Sequence, residues 1–345
     1  MLGNTPPLRI ETIGRKPSLY VVSCGFWVVD DLNSRRPIIA GACDYIRNRA
    51  VARAKSEFVE RRASYCPGQT LLSRRDLINA QIPVWECLQQ RDVGESNWIV
   101  AHTLNSSRLV AVPASLAFHS VSPPSSTRPR SDATGYACRQ GLQDALRHAM
   151  LEVYERASTR ALERRLTVPQ VINNPRIHLH KKVSSFLDEL SITYQLLHVQ
   201  HKGLPSVFIS ALRDSAGKMF LGSACSLTIT EAATRSTLEA IAVRDAVARH
   251  HRSKLLPYSS SLLPALHLAS SRPSWLEGKP LKACDVQRAS DGLSRLAGSS
   301  ISDWPRSDCT AWANIYVEKR SRRRVVKVFA PWLTDRARVE DRLFS

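Results

Sequence analysis

Two short runs of carboxylates in this sequence could hold a divalent cation. Each run places two glutamates three residues apart and ends in an arginine: EFVER ends at Arg61, and EVYER ends at Arg156. Magnesium prefers oxygen ligands and is usually shared between one or two carboxylates and the phosphates of a nucleotide. A lone run of this kind is typical of a solvent-exposed helix face with an i, i+4 Glu–Arg pair, but its repetition favours a shared chemical role.

The second run lies in a segment, residues 134–160, with the periodicity of an amphipathic helix. Apolar residues recur there at i, i+3, i+4, i+7 and i+8: Leu142, Ala145, Leu146, Ala149, Met150, Val153 and Tyr154. Similar helices are predicted at residues 45–64 and 230–247, so that the three are spaced about 90 residues apart. The last one adds Glu239 and Arg244. Three related helices predict an internally repeated architecture.

Strand-like segments stand between these helices. Alternating or β-branched apolar runs predict strands at residues 20–30 and 207–212, a pair of strands within residues 98–114, and a terminal hairpin at 310–317 and 324–330. We therefore predict a mixed α/β (α+β) fold in which the three carboxylate helices pack on sheets and converge on one cleft.

The same segments predict how the chain is organised. Residues 1–19 are expected to form a loose lead-in, and residues 33–36 a turn that leads into the first helix. Residues 20–345 are expected to form a single domain of repeat-like units. These units fall at about 20–115, 133–215 and 216–333.

Composition narrows the class of protein. Lys and Arg number 49 against 30 Asp and Glu, a formal net charge of +19, which suggests an acidic partner or nucleic acid. The basic residues are scattered, with one cluster at residues 319–324, and no zinc-finger, RNP or basic-zipper pattern occurs. A solvated arginine-rich surface therefore competes with nucleic-acid binding, and we do not expect nucleic acid as the partner.

Cysteine spacing and hydropathy exclude further classes. The 8 cysteines include no C-x-x-C pair, so zinc ribbons and iron–sulfur runs are not supported. No run of residues reaches the apolar length of a membrane span, and the first residues lack the apolar core of a signal peptide. We expect a cytoplasmic protein without a membrane partner.

Five segments resemble the YcaO family, ATP-dependent enzymes that activate peptide backbone amides. GYACRQGLQDALRHAMLEVYERA is similar to the family block SNGLAAG…EEA…ALLELIERDA, and AVARAKSEFVERRA to its block A…SALxEAIERYA. The segment from GLPSVFISALRD to TITEAATRSTLEAIAVRDA resembles P…G…AL…ALTEAxQxR. RLVAVPASLAF resembles the strand with VPA, and VVKVFAPWL the terminal strand with VPGL. The likeness runs from about residue 20 to 333, and it is weak between 162 and 200.

The resemblance implies a YcaO-like fold with ATP and Mg²⁺ as cofactors, and it leaves the catalytic residues unassigned. The residues that would hold magnesium are Glu57, Glu60, Glu152 and Glu155. The residues that would bind ATP are Arg61, Gln140, Asp144, Arg156, Glu239 and Arg244.

The implied reaction is phosphoryl transfer to a peptide amide oxygen in the maturation of a ribosomally made peptide such as a bacteriocin. The product is an azoline (a thiazole or oxazole precursor) when the nucleophile is a Cys, Ser or Thr side chain, or a thioamide when it is sulfide. The implied partner is a precursor peptide, with an acidic leader to match the basic chain. A leader-binding, dehydrogenase or sulfur-delivery protein and a homodimer are further implied partners.

The chain also departs from the family pattern. Gly41-Ala42-Cys43 stands where members commonly carry Gly-Lys-Gly, Arg53 and Ala137 stand at frequent serine positions, and the C-terminal PxPxP is absent. These departures favour an alternative, a degenerate homologue that binds a precursor peptide or partner protein without catalysis. Magnesium-dependent ATP turnover separates the two. The third hypothesis is a nucleic-acid-binding protein. Its affinity for nucleic acid would fall steeply with added salt, and it would not respond to ATP.

The net charge of +19 generates a first prediction about the partner. Affinity for a cognate acidic peptide is expected to weaken as salt rises, because screening shortens the reach of surface charge. A titration of the precursor peptide at low and high salt measures this effect. An affinity that stays constant would show that surface charge does not contribute to peptide binding.

Overall fold

The computed structural model describes residues 8–14, 18–29, 35–65, 69–87, 97–121, 134–163, 166–200, 204–253, 279–280, 291, 293–318 and 323–330. Its strands are β1 (Arg9–Ile13), β2 (Leu19–Val29), β3 (Arg35–Asp44), β4 (Trp98–Thr103), β5 (Leu109–Pro113), β6 (Tyr136–Arg139), β7 (Gln170–Val171), β8 (Thr193–Val199), β9 (Val207–Arg213), β10 (Met219–Cys225), β11 (Lys279–Pro280), β12 (Ala311–Glu318) and β13 (Arg323–Phe329). Its helices are α1 (Arg47–Tyr65), α2 (Arg74–Asn79), α3 (Ala114–Ala117), α4 (Leu142–Glu163), α5 (Lys181–Glu189) and α6 (Ile229–Ser253). The predicted mixed α/β fold is confirmed.

The chain divides into two compact units, and the division falls within α1 and α4. Unit 1 consists of Met1–Phe58 and Ala157–Gly298, and unit 2 of Val59–Arg156 and Ser299–Ser345. The predicted organisation into three repeat-like units within one domain stays a prediction. In the part of the chain that is described, no helix is both long and apolar enough to cross a membrane.

Unit 1 contains two sheets. The first has the order β1-β2-β3 and is antiparallel, and the second has the order β10-β9-β8-β7-β11, in which only the short β7–β11 pair is parallel. A single apolar cluster contains side chains from both sheets and from the helices, among them Val21, Phe186, Phe208 and Ile241. Burial of such side chains is the main driving force for this packing.

Unit 2 contains one antiparallel sheet of order β5-β4-β12-β13-β6. The predicted hairpins β4–β5 and β12–β13 are confirmed, and the second carries a register shift between Asn314 and Tyr316. Its core contains Ile99, Phe118, Ile315 and other buried apolar side chains. The basic cluster at residues 319–324 lies partly outside the described residues.

The three predicted carboxylate helices exist, and a strand that the sequence did not reveal precedes each of them. β3 comes before α1, β6 before α4 and β10 before α6. The turn predicted at residues 33–36 does not lead into a helix, because the chain first forms β3. The loose lead-in predicted for residues 1–19 is also wrong in part, because Arg9–Ile13 pairs with β2 as a strand.

Helix α6 packs against β10 with a separation that only glycine permits at position 222. A Cβ atom on Gly222 would lie 2.2 Å from the Ser236 carbonyl oxygen and 2.5 Å from the Ala240 nitrogen. Both atoms belong to the helix backbone, which cannot rotate away as a side chain can. Close approach of two backbones is a frequent reason for glycine within a strand.

Gly222→Ala is therefore expected to push α6 away from β10 and to destabilise the protein. Overpacking of this kind costs about 1–3 kcal/mol. Urea unfolding of the variant and the wild type measures the difference. Gly298→Ala is the matched control, since nothing lies within 4 Å of its added Cβ. An equal loss in both variants would contradict the packing argument.

Candidate functional site

The two predicted glutamates of unit 1, Glu57 and Glu239, accept hydrogen bonds from the strand that precedes their own helix. The Gly41 N–H on β3 donates to Glu57 Oε2 on α1 at 3.1 Å, across a separation of 16 residues. The Ser223 N–H on β10 donates to Glu239 Oε2 on α6 at 2.9 Å, also across 16 residues. The two strand–helix pairs thus use the same contact at the same spacing.

Unit 2 repeats this contact at the start of β6. The Gly135 N–H donates to Glu152 Oε2 on α4 at 3.1 Å, across 17 residues. The Cys138 N–H, within β6 itself, donates to Glu60 Oε1 on α1 at 2.6 Å. The short strand and the residue before it therefore orient a carboxylate from each of two helices.

These contacts fix glutamate side chains that would otherwise sample many rotamers. A hydrogen bond from an amide to an ionised carboxylate is shorter and stronger than one between neutral groups. Each contact also gives a backbone N–H of the strand region a hydrogen-bond partner. Four of the five predicted glutamates, Glu57, Glu60, Glu152 and Glu239, are held in this way.

The remaining predicted residues have more varied surroundings. Glu155 is 8% exposed, whereas Arg156 beside it is exposed. Gln140 is exposed at the bend before α4. Asp144, in the first turn of α4, contacts His148 Nδ1 through Oδ1 at 3.1 Å and Arg139 Nε through Oδ2 at 3.7 Å.

The other two arginines are half-buried. Arg61 lies on the unit 2 part of α1, and Arg244 lies on α6 in unit 1. In the described ranges, no three His, Cys, Asp or Glu side chains form a group that could hold a metal on their own. Glu60, Glu152 and Glu155 belong to unit 2, and Glu57 and Glu239 to unit 1. Convergence of the three helices on one cleft stays a prediction.

Sequence reasoning missed a buried carboxylate at the start of α1. Asp44 is 1% exposed and accepts the Ile46 N–H at 3.0 Å, which closes a turn just before the helix. Its Oδ2 lies 3.4 Å from Arg53 Nη1 and 3.7 Å from Arg49 Nε. Burial and the nearby Arg235 lower the pKa of Arg53. The motif DYIRNRAVAR contains this contact, but its meaning depends on β3, which the sequence did not reveal.

Solved structures share this fold over almost the whole chain. YcaO from Methanopyrus kandleri, bound with AMPPCP and Mg²⁺, has a TM-score of 0.64 at 17% identity, over 96% of this chain and 88% of that one. The E. coli microcin synthetase McbBCD complex with pro-MccB17 bound has a TM-score of 0.63 at 15% identity, over 96% and 89%. A heterocyclase in complex with substrate and cofactor has a TM-score of 0.58 at 14% identity, and the chain spans 50% of its length.

Family comparison extends the likeness from fold to sequence. No curated protein matches the chain. The family model for "YcaO cyclodehydratase, ATP- and Mg²⁺-binding" matches residues 32–314, which include every residue predicted for the site. The chain therefore belongs to the ATP- and Mg²⁺-binding YcaO cyclodehydratase family.

Proposed function

We propose that this chain uses ATP and magnesium to phosphorylate a backbone amide oxygen of a ribosomally made peptide. The observation that carries the proposal is the repeated strand-to-glutamate contact, which orients carboxylates on all three helices. A contact repeated at a separation of 16 or 17 residues is not expected of an ordinary solvated helix face.

The carboxylate side chains fit magnesium as a group to be held. Magnesium keeps several waters and binds through one or two carboxylates together with substrate phosphates, rather than in a cage made by protein alone. Such a site needs oriented carboxylates more than it needs a closed cluster. The residues that would hold magnesium are Glu57, Glu60, Glu152 and Glu155. When bound, the metal would neutralise charge on the phosphates.

The proposed contacts with ATP fall to the arginines and to the polar residues beside α4 and on α6. A guanidinium is planar and permanently charged, and it meets two phosphate oxygens at once. We assign this role to Arg61, Arg156 and Arg244. Gln140 and Asp144 stand at the start of α4, and His148 holds the Asp144 carboxylate in place. Glu239 adds a carboxylate that the Ser223 amide orients.

The proposed reaction proceeds on the peptide, and the protein positions its participants. A nucleophile adds to an amide carbonyl carbon, and the resulting oxyanion attacks the γ-phosphorus of ATP, so that ADP leaves. Loss of phosphate then removes the former carbonyl oxygen from the peptide. In phosphoryl transfer, catalysis comes mainly from positioning and charge neutralisation, for which oriented carboxylates and arginines are suited.

The nucleophile decides the product. A neighbouring Cys, Ser or Thr side chain gives an azoline, and sulfide gives a thioamide. The proposal includes both products. The proposed substrate is a precursor peptide with an acidic leader, and the proposed partners are a second copy of the chain and a leader-binding, dehydrogenase or sulfur-delivery protein.

A non-catalytic homologue is the second candidate, and the surroundings of Arg53 favour it. The Arg53 guanidinium lies 3.4 Å from the Cys43 carbonyl oxygen and from Asp44 Oδ2. It is thus engaged by protein groups at a position where the family often has serine. ATP turnover that depends on magnesium would exclude this candidate.

Glu152→Gln is expected to abolish ATP-dependent activity and the thermal stabilisation given by magnesium with ATP. The amide removes a negative charge from the proposed magnesium site, while its oxygen can still accept the Gly135 N–H. A ligand present at 100 times its Kd stabilises a folded protein by about 2.7 kcal/mol, and this gain should be absent. Glu155→Gln is expected to behave in the same way.

Thermal melts with and without magnesium and ATP measure this effect. The melting temperature of the ligand-free variants should be unchanged or raised, because Gln and Glu have similar helix propensity and one of several like charges is removed. Glu189→Gln, an exposed glutamate at the end of α5, is the matched control and should respond to the ligand like the wild type. If magnesium with ATP stabilised both site variants as much as the wild type, Glu152 and Glu155 would belong to an ordinary solvated helix face.

A further inference from the structure

Lys327 is a charged side chain on the core face of a strand. In β13, side chains alternate between the two faces of the sheet, so Lys327 shares a face with Val325 and Phe329. Those two are core residues of unit 2, and Lys327 is itself only 4% exposed. Burying an ammonium group is costly unless it is paired or hydrogen-bonded, so its partners explain its place.

The Lys327 ammonium group contacts a backbone carbonyl oxygen and an aromatic ring of unit 2. The Nζ atom donates a hydrogen bond to the Thr134 carbonyl oxygen, and it lies 4.6 Å from the centroid of the Tyr136 ring. A cation over an aromatic face is attracted by the ring, and the attraction grows when water is excluded. Both partners flank Gly135, which is the residue whose N–H donates to Glu152.

The Thr134 carbonyl and the Gly135 N–H belong to the same peptide group. In a planar trans peptide these two dipoles point in opposite directions, so one peptide can bridge a cation on one side and an anion on the other. Lys327 occupies the carbonyl side and Glu152 the amide side. Hydrogen bonds in such a chain polarise and strengthen one another in a low-dielectric interior.

Sterics alone do not fix the orientation of this peptide. Gly135 has a φ of 79°, a region that glycine enters freely, and a glycine can also adopt many other orientations. Its own carbonyl accepts the Val328 N–H at 2.8 Å, which anchors the following peptide. The preceding peptide, between Thr134 and Gly135, is held at its two ends by the Lys327 and Glu152 contacts.

We propose that Lys327 is a positioning residue for Glu152, acting through the Thr134–Gly135 peptide. Lys327 holds the carbonyl end, so that the amide end points at the Glu152 carboxylate and sets its orientation. This inference rests on the proposed function where it assigns magnesium to Glu152, but the effect on the peptide can be measured without magnesium. A lysine that served only to fill the core would leave the Gly135 amide unaffected when replaced.

The sequence allows this one peptide to be observed alone. Thr134–Gly135 is the only Thr–Gly pair in the chain. Protein made with carbonyl-¹³C threonine and ¹⁵N glycine therefore gives a single cross-peak that correlates the Thr134 carbonyl with the Gly135 amide. The carbonyl shift reports the Lys327 contact, and the amide proton shift reports the Glu152 contact.

Lys327→Met is expected to move both shifts upfield, because the carbonyl loses its charged donor and the amide turns from the carboxylate. Lys327→Arg, which keeps the charge and the donors, should lie close to the wild type. Lys218→Met is the matched control, since it makes the same substitution at an exposed turn and should leave the peak in place. Should Lys327→Met not fold, Lys327→Gln is measured instead and should move the peak in the same direction.

The consequence for Glu152 is measured by titrating magnesium chloride at fixed ATP and following the melting temperature. Loss of a group that orients a metal ligand typically costs 10–100-fold in metal affinity, so Lys327→Met should raise the magnesium midpoint about tenfold. Lys327→Arg should restore the midpoint toward the wild-type value, which a change in core packing alone would not predict.

The outcomes separate the inference from the proposed function. A cross-peak that moves in Lys327→Met, in a protein whose wild type shows no response to magnesium and ATP, supports the positioning role and removes the proposed function. A wild type that responds to magnesium, with an unchanged cross-peak and midpoint in Lys327→Met, overturns the inference and leaves the proposed function intact.

Discussion

The candidate site depends on one interaction, the hydrogen bond from a backbone amide in or beside a strand to a glutamate on a carboxylate helix. It occurs within both units, at Gly41 and Glu57, at Ser223 and Glu239, and at Gly135 and Glu152. The bond joins the orientation of the carboxylate to the register of the strand–helix pair. A shift of the helix along its strand would break the contact, so the packing of the fold and the geometry of the site are set together.

Small residues make this interaction possible, because the helix must come close to the strand. At Gly222 a single methyl group would overlap the backbone of α6, which carries Glu239. At Gly135 a Cβ atom would lie 3.2 Å from Val153 Cγ2 on α4, which carries Glu152, and 2.6 Å from the Val328 carbonyl oxygen on β13. Each glycine stands at, or next to, the residue whose amide meets the glutamate. A small residue thus lets the helix approach the strand closely, so that a strand N–H can reach the glutamate.

Helical periodicity predicted α1, α4 and α6, because a long apolar stripe is recorded directly in the spacing of residues. The strands β3, β6 and β10 were missed because they are short or contain glycine and alanine, which carry little β propensity. These segments become strands because they pair with β2, β13 and β9, which local sequence does not show. The glutamates stood out by type and spacing, but Lys327 did not, because its proposed role depends on Thr134, which lies 193 residues away in sequence. Contacts of that kind are fixed by topology and leave no local pattern.

A carboxylate held by a backbone amide is well prepared for a metal that gives up water reluctantly. Binding magnesium to freely rotating glutamates would require the protein to restrict several torsions at the moment of binding, and each restricted side chain weakens the affinity. The amide contacts impose much of that restriction during folding instead. The proposed site thus pairs oriented carboxylates, which magnesium binds, with arginines, which phosphate oxygens bind.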